Sequence, residues 1–521
     1  MHGISSSFSL VSSFRHALRP PVLRQRLAVL CLAFLALPCL QGCSDGNDTI
    51  SLDGEPEFLP VAVPTVQEPP AAGNPFLQQN TFDLSEAGYE AVEFFYEGNA
   101  TAFTSLSELL GDGVWTVEPA EQAAYRSRIL IHRPSDPARF NGTVHVEWLN
   151  VTAGFETPPV WGAGHVEMYR EGQIWVGVSA QKIGVDGSAG ALAPLHLKGV
   201  NPARYGSLLH PGDSFSYDMF SQVVPILRGE ANVDVLAGMV PQRIIASGQS
   251  QSGGRMVAYI NAVQPLYNAY DGFLVMTRGD GAAPLAQDPQ VEIAAPEAVI
   301  VREDNRTPVL TVQSETDVTL LNYAAARQDD NDFFRLWEVA GTSHSDYYGI
   351  VAGRNDALGE PRFAAVVEED TVFGFLQCDR PFNAGPFTYV LRAGLRALDA
   401  WVRDAVAPPV APRLDLNDSQ TAYLTDSLGN VTGGIRTPYV DAASAVLSGE
   451  GQTGGSFCFL FGTTSLFTAD QMASLYVDEA GYVEAVAAAA DAAVSAGFLL
   501  PVDAEAIVAW APQQWRAQTG Q

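Results

Sequence analysis

Lysine is nearly absent from this chain, and basic side chains are few altogether. Among 521 residues there are 29 lysines and arginines against 59 aspartates and glutamates, which gives a formal net charge of -30. The only two lysines are Lys182 and Lys198. Such a balance repels nucleic acid and anionic lipid surfaces. We therefore expect no nucleic-acid partner, and an acidic surface of this kind keeps an exported protein soluble.

The N-terminus carries a short apolar run that follows several arginines. This run, Leu27–Leu40, is too short for a comfortable transmembrane helix and is typical of a secretory signal. It ends in Leu-Gln-Gly-Cys, which resembles a bacterial lipobox and predicts cleavage before Cys43 and lipidation of its thiol. The alternative is an ordinary signal peptide with a chance cysteine.

These signals predict how the N-terminal part of the chain is organised. We expect residues 1–42 to be a lipoprotein signal peptide. Residues 43–84 are rich in proline, glutamate and glycine, and we expect them to form a flexible tether. The predicted protein is exported and contacts a membrane only through its lipid anchor, at the outer membrane or the cell surface of a bacterium.

Cysteine is also scarce, with five in the chain. Cys31 and Cys39 lie in the predicted signal, and Cys43 is the predicted lipid site. Cys378 and Cys458 remain. Because an even pair in an exported protein is most simply a disulfide, we predict that these two are bonded.

Apolar strand patterns alternate with helical patterns from about residue 85 to residue 405. This alternation predicts an α/β fold with a mostly parallel sheet and helices on both faces. Residues 406–521 differ, because turn-rich sequence is followed there by an alanine-rich helical run. We expect this C-terminal extension to pack on the α/β domain as a candidate cap. The predicted strands are 127–132, 143–149, 174–179, 243–246, 272–277, 308–313 and 333–340.

Residues 243–258 have the layout of a nucleophile elbow. An apolar strand runs into Gly248-Gln249-Ser250, and small residues then lead into a helix. A sharp strand-to-helix turn of this kind exposes a hydroxyl and crowds the backbone around it. Ser250 is the predicted nucleophile, because it follows the strand by the usual number of residues. Ser252, in Ser-x-Ser-x-Gly, remains the alternative.

A serine hydroxyl needs a base to take its proton and a third group to orient that base. His344 is the only one of the eight histidines that follows the elbow, and it comes directly after a predicted strand. Asp317 follows the strand before that and is the predicted acid, ahead of Glu315 and, more distantly, Asp280. The chain order serine, aspartate, histidine is the order of an α/β-hydrolase triad.

Three motifs resemble known sequences. Gly248–Gly253 looks like the Gly-x-Ser-Gln-Gly-Gly elbow of secreted α/β-hydrolase esterases, with Ser252 where glycine is usual. Together with Cys378–Pro381 and Gly434–Pro438, it resembles a bacterial family of exported α/β-hydrolase-domain proteins. The resemblance runs from about residue 85 to the end of the chain. It implies an α/β-hydrolase fold and a serine hydrolase, but no substrate.

The predicted function is hydrolysis of carboxylic esters, of small molecules or of polymers, through an acyl-enzyme. The expected oxyanion hole consists of the backbone N–H of Gln251 and that of Val151, with Thr152 as the alternative to Val151. We expect no cofactor and no metal, because no His-Glu-x-x-His or similar spacing is present. The sequence does not indicate an oligomeric state.

Two other functions compete with this prediction. Ser179-x-x-Lys182 and Tyr259-x-Asn261 resemble motifs of penicillin-recognising enzymes, but the chain has no Lys-Thr-Gly. The second alternative is a non-catalytic surface lipoprotein that uses a hydrolase fold as a binding module.

Overall fold

The computed structural model describes most of the chain that follows the predicted signal and anchor. Residues 1–42, the predicted lipid site Cys43 and the first part of the predicted tether lie outside the described residues. Within the described part, no helix is both long and apolar enough to span a membrane. The described residues are 58–71, 73–77, 81–188, 195–374, 376–455 and 457–520.

A nine-stranded sheet is the centre of the described structure. Its strands are β1 (Thr65–Gln67), β2 (Tyr89–Ser105), β3 (Val117–Pro134), β4 (Thr143–Trp148), β5 (Ile174–Val178), β6 (Arg243–Gln249), β7 (Gly272–Met276), β8 (Val309–Ser314) and β9 (Phe334–Val339). Their spatial order is β1-β2-β3-β5-β4-β6-β7-β8-β9. The six strands from β5 to β9 in this order are parallel, whereas β1, β2 and β3 join antiparallel at one edge. The predicted mostly parallel sheet is confirmed.

Helices surround this sheet and build the C-terminal region. They are α1 (Pro159–Arg170), α2 (Lys182–Asp186), α3 (Leu197–Val200), α4 (Pro202–Tyr205), α5 (Ser216–Ser221), α6 (Val223–Leu227), α7 (Gln251–Ala258), α8 (Gln264–Tyr267), α9 (Glu315–Val318), α10 (Phe387–Asp404), α11 (Pro438–Asp441), α12 (Ala469–Tyr476), α13 (Glu479–Ser495) and α14 (Pro501–Thr519). A π-helical segment, Tyr259–Val263, joins α7 to α8.

Both faces of the sheet are buried, because successive strand side chains point to opposite sides. In β6, Ile244 and Ala246 belong to a core that includes residues of α5, α6 and α7. Ile245 belongs to a second core, which includes residues of α1 and α10. A strand with two buried faces shows consecutive rather than alternating apolar residues, and in β6 these are Ile244, Ile245 and Ala246.

The folded region begins upstream of the predicted domain boundary at residue 85. Within the predicted tether, β1 pairs antiparallel with β2, with Val66 opposite Tyr96. Val66 is buried in the same core as the elbow helix. The described part of the predicted tether therefore includes a strand of the sheet.

The C-terminal extension packs against α10. It contains a two-stranded hairpin of β12 (Ala445–Ser448) and β13 (Thr463–Leu466), while a shorter hairpin, β10 (Thr371–Val372) and β11 (Leu376–Gln377), precedes α10. Tyr389 of α10 stacks on Tyr439, with ring centroids 6.2 Å apart. Arg392 of α10 forms a 3.0 Å ion pair with Asp503 of α14, and both side chains are fully buried. These contacts fix the extension to the sheet domain.

Candidate active site

A strained serine lies at the turn from β6 to α7. Ser250 has φ 58° and ψ -120°, a backbone conformation that costs a non-glycine residue about 1–3 kcal/mol. The turn is held by a 2.9 Å hydrogen bond from Ser250 N to the carbonyl of Met276 on β7. At Gly248, a Cβ atom would lie 2.4 Å from the carbonyl oxygen of Ser252. The elbow therefore requires glycine here, as the sequence predicts.

The two candidate serines have different surroundings. Ser252 is fully buried in the first turn of α7, and its nearest acceptor is the carbonyl of Leu149 at 3.4 Å. Ser250 is only half-buried, and its hydroxyl has no hydrogen-bond partner among the described residues. Of the two, Ser250 is therefore the one that a substrate can reach.

The short helix α9 after β8 and the loop after β9 bring an acid and a histidine together. His344 Nδ1 lies 2.6 Å from Asp317 Oδ1, and both side chains are buried. The other carboxylate oxygen of Asp317 accepts hydrogen bonds from the backbone N–H and the hydroxyl of Ser314, each at 2.7 Å. The backbone N–H of His344 donates to Thr316 Oγ1 at 3.1 Å. Because these contacts fix both partners, the imidazole ring is held on its Nδ1 side.

Neither alternative acid contacts His344. Glu315 accepts backbone N–H groups from Gly341 at 2.6 Å and from Gly449 at 2.7 Å, and burial raises the pKa of its carboxyl to about 8. Asp280 accepts a 2.6 Å hydrogen bond from the side chain of Asn322. Of the three candidates, Asp317 alone is placed as a partner of the imidazole.

Gln249, which sequence analysis did not single out, contacts His344. Its Nε2 lies 3.2 Å from His344 Nε2 and 2.6 Å from the hydroxyl of Thr277. Its backbone carbonyl accepts a 3.0 Å hydrogen bond from the side chain of Asn150. The sequence holds one indication of this role, because Gln249 is a polar residue at the end of a strand and directly precedes the candidate nucleophile.

The loop after β4 lies beside the elbow through Asn150. Two backbone hydrogen bonds with Thr157 close this loop, at 3.0 and 2.9 Å. The N–H of Thr152 is already bonded to Asn150 Oδ1 at 2.9 Å, whereas the N–H of Val151 has no acceptor among the described residues. The N–H of Gln251 opens α7 and so has no acceptor within the helix. Val151, unlike Thr152, therefore keeps a backbone donor with no acceptor among the described residues, as does Gln251 at the start of α7.

The motif Ser179-x-x-Lys182 does not form a second active site. Ser179 is fully buried, and its hydroxyl accepts a 2.8 Å hydrogen bond from Arg128. The ammonium group of Lys182 instead pairs with Asp186 at 2.8 Å. The structure thus separates the serine from the lysine. No group of three or more potential metal-ligating side chains occurs in the described ranges.

The C-terminal extension reaches the histidine loop. Cys378 and Cys458 form the predicted disulfide. Two residues after Cys458, the carbonyl of Leu460 accepts a 3.2 Å hydrogen bond from the backbone N–H of Ser345, next to His344. The extension also supplies Gly449, whose backbone N–H donates to Glu315 of α9, the helix that carries Asp317. It therefore contacts both the helix of the acid and the loop of the histidine.

A parallel sheet with a strained serine at a strand-to-helix turn is the architecture of an α/β hydrolase. The chain belongs to the alpha/beta hydrolase domain family, whose model matches residues 61–509. The predicted fold class and the predicted resemblance are thus confirmed. The match starts inside the predicted tether and includes most of the predicted extension, so both contribute to one family domain.

Solved structures to which the chain is similar include three esterases. They are acetyl xylan esterase 1 from Thermoanaerobacterium (11% identity, 53% of this chain and 81% of that one, TM-score 0.27), a glucuronoyl esterase from Solibacter usitatus (11%, 53% and 83%, 0.24) and a thermostable esterase from Pseudomonas putida (13%, 50% and 75%, 0.25). No curated protein matches the sequence. Similarities this remote do not indicate a substrate.

Proposed function

We propose that this protein is a serine hydrolase that cleaves carboxylic esters through an acyl-enzyme. Ser250 is the nucleophile, His344 the base and Asp317 the acid that orients it. The observation that carries this proposal is the 2.6 Å contact between His344 Nδ1 and Asp317 Oδ1. It lies at the carboxyl ends of the parallel strands, where the turn after β6 presents the strained serine, and it leaves Nε2 of the ring facing Gln249 of the elbow.

In this mechanism Ser250 Oγ attacks the ester carbonyl while His344 Nε2 takes its proton. The N–H groups of Gln251 and Val151 stabilise the oxyanion, and losing one such donor typically costs about 100- to 1000-fold in turnover. The imidazolium then protonates the leaving alcohol, and Asp317 stabilises its charge. Water releases the acid through the same histidine. Catalytic hydrogen bonds are often long before substrate binds, which is consistent with the unpaired hydroxyl of Ser250.

We also propose that the protein is exported and anchored through lipid on Cys43. The support is the short apolar run and the Leu-Gln-Gly-Cys sequence that ends it. Replacing Cys43 by alanine is expected to move the protein from the membrane fraction to the soluble fraction of a bacterial host. An unchanged membrane fraction would contradict the anchor.

The hydrolase proposal is tested with nitrophenyl esters of graded acyl length. The wild type is expected to hydrolyse at least one of them, with activity that falls below about pH 6, because a protonated histidine cannot accept the serine proton. Ser250→Ala should lose nearly all of this activity, and Ser252→Ala is the matched control that keeps it. No hydrolysis of any ester by the folded wild type would favour a non-catalytic binding module instead.

A further inference from the structure

The proton arrangement around His344 follows from fixed backbone donors. Asp317 accepts backbone and hydroxyl donors on one carboxylate oxygen, so its other oxygen is an acceptor for His344 Nδ1. Nδ1 therefore carries the proton in the neutral ring. A neutral imidazole has one donor and one acceptor nitrogen, so Nε2 is then an acceptor.

The orientation of the Gln249 amide is fixed in the same way. The backbone N–H of Thr152 donates to Asn150 Oδ1 at 2.9 Å, so the other end of that amide is its NH₂ group. This NH₂ donates to the Gln249 backbone carbonyl at 3.0 Å and to Gln249 Oε1 at 3.3 Å. The Gln249 NH₂ group consequently points to Thr277 and to His344 Nε2. A donor thus faces the acceptor nitrogen of the imidazole.

We propose that Gln249 is a positioning residue that keeps His344 neutral, with an unprotonated Nε2 held at the elbow. This inference rests on the proposed function. An amide donor facing Nε2 stabilises the neutral ring relative to the imidazolium. In the imidazolium Nε2 carries a proton, so two donors would face each other. When substrate is bound, the hydroxyl of Ser250 replaces the Gln249 amide as the donor to His344 Nε2. Gln249 acts through the histidine and does not itself contact the reacting carbonyl.

Among the described residues, Asp317 is the ionic partner of His344, and the other charged groups around this contact have partners elsewhere. Glu315 is turned to two glycine N–H groups, and Asp346 accepts the N–H groups of Gly349 and Phe387. Arg278, next to Thr277, donates to backbone carbonyls of residues 279–281 and 299. None of these three has a hydrogen bond or ion pair with the imidazole. A change at Gln249 therefore acts on the ring without a second charge to compensate.

The test compares the pH dependence of kcat/KM for the wild type, Gln249→Leu and Gln249→Glu on a nitrophenyl ester that the wild type hydrolyses. A hydrogen bond contributes about 0.5–1.5 kcal/mol. The acid limb of the pH profile, where kcat/KM falls at low pH, should therefore lie about 0.4 to 1 pH unit higher in Gln249→Leu than in the wild type. Gln249→Glu should move it further, because a carboxylate favours the imidazolium. KM should stay within about twofold of the wild-type value, since the proposed role involves no substrate contact.

The matched control is Gln173→Leu. Gln173 is also buried and also contacts a histidine, with Oε1 3.0 Å from His145 Nε2, but it precedes β5, at the amino-terminal end of the parallel strands rather than at their carboxyl ends. This control should keep the wild-type acid limb. Thermal unfolding of each variant identifies any that does not fold. Histidine-selective ¹⁵N NMR gives a second measurement, in which His344 Nε2 should have the shift of an unprotonated nitrogen at neutral pH.

The outcomes separate this inference from the proposed function. If Gln249→Leu folds and its acid limb coincides with that of the wild type, Gln249 has only a structural role and the inference is wrong. The same conclusion follows if the shift of Gln249→Glu does not exceed that of Gln249→Leu, or if Nε2 is protonated at neutral pH. If Ser250→Ala keeps wild-type hydrolysis, the proposed function fails and the inference fails with it.

Discussion

Replacing Asp317 by asparagine should invert the tautomer of His344. The backbone N–H of Ser314 donates to Asp317 Oδ2 at 2.7 Å, and this donor needs an acceptor. An asparagine would therefore place its oxygen towards Ser314 and its NH₂ group towards His344 Nδ1. Nδ1 would then have to accept, and the proton would move to Nε2, where it blocks removal of the serine proton. In a serine protease this substitution lowers kcat about 10⁴-fold, which corresponds to about 5.4 kcal/mol of transition-state stabilisation.

The assay is steady-state hydrolysis of a nitrophenyl ester by purified Asp317→Asn and by its control, Glu315→Gln. The control makes the same change of carboxyl to amide two residues away, in a side chain that bonds only backbone N–H groups. We expect the control to lose stability but to keep most of its activity per folded molecule. If Asp317→Asn retains more than about a tenth of wild-type kcat while Glu315→Gln is inactive and folded, the assignment of the acid is wrong.

Three further predictions concern the contacts that support the site. Gly449 lies in the extension, but Gly449→Ala would place a Cβ 2.5 Å from the Cβ of Glu315. We therefore expect the free energy of unfolding, measured with denaturant, to fall by about 1–3 kcal/mol and kcat to fall as well. Burial raises the pKa of Glu315 to about 8 and that of Glu147 to about 7. The folded state therefore binds more protons than the unfolded state, so the free energy of unfolding should fall as the pH rises from about 5 to about 8. In Glu315→Gln this fall should be less steep. A pH-independent free energy of unfolding would contradict this. Cys458→Ser removes the disulfide with Cys378, which spans 80 residues, and should lower the free energy of unfolding by about 2–4 kcal/mol. Equal denaturation midpoints of the wild type with and without reductant would refute this stabilising role of the disulfide.

The central strands could be predicted from the sequence because they are buried on both faces. β6, β7, β8 and β9 read as short apolar runs, and each predicted strand overlaps the observed one. By contrast the sequence pattern does not predict β2, which has 17 residues, because its glutamates, asparagine and glycine break the apolar pattern. Its pairing with β3 is a tertiary contact that local sequence does not show.

The helices show where local patterns are overridden. The local pattern of residues 320–327 favours a helix, but only a 3₁₀ turn forms at Tyr323–Ala326, because Asn322 adopts a left-handed conformation with φ 60°. Asp213 is of a residue type that commonly caps helices. Its carboxylate instead accepts the backbone N–H of Lys182 at 2.8 Å and lies 3.3 Å from Arg255. These partners lie 31 and 42 residues away in sequence.

The candidate site could be predicted in part, because chain order and strand ends limit the choices. The sequence predicts Ser250, Asp317 and His344 as candidates, and the structure places Asp317 rather than Glu315 against the imidazole. Sequence could not show that Glu315 binds the backbone of Gly449, 134 residues away, nor that the Gln249 amide points to the histidine. Both depend on side-chain directions that only the folded structure fixes.

Covalent labelling with a fluorophosphonate probe tests the nucleophile most directly. The probe reacts only with an activated serine, and mass spectrometry of the labelled peptide identifies the residue. Wild type and Ser252→Ala are expected to be labelled on Ser250, and Ser250→Ala is expected to remain unlabelled. Labelling of Ser250→Ala on Ser252, or no labelling of the folded wild type, would contradict the proposed hydrolase mechanism.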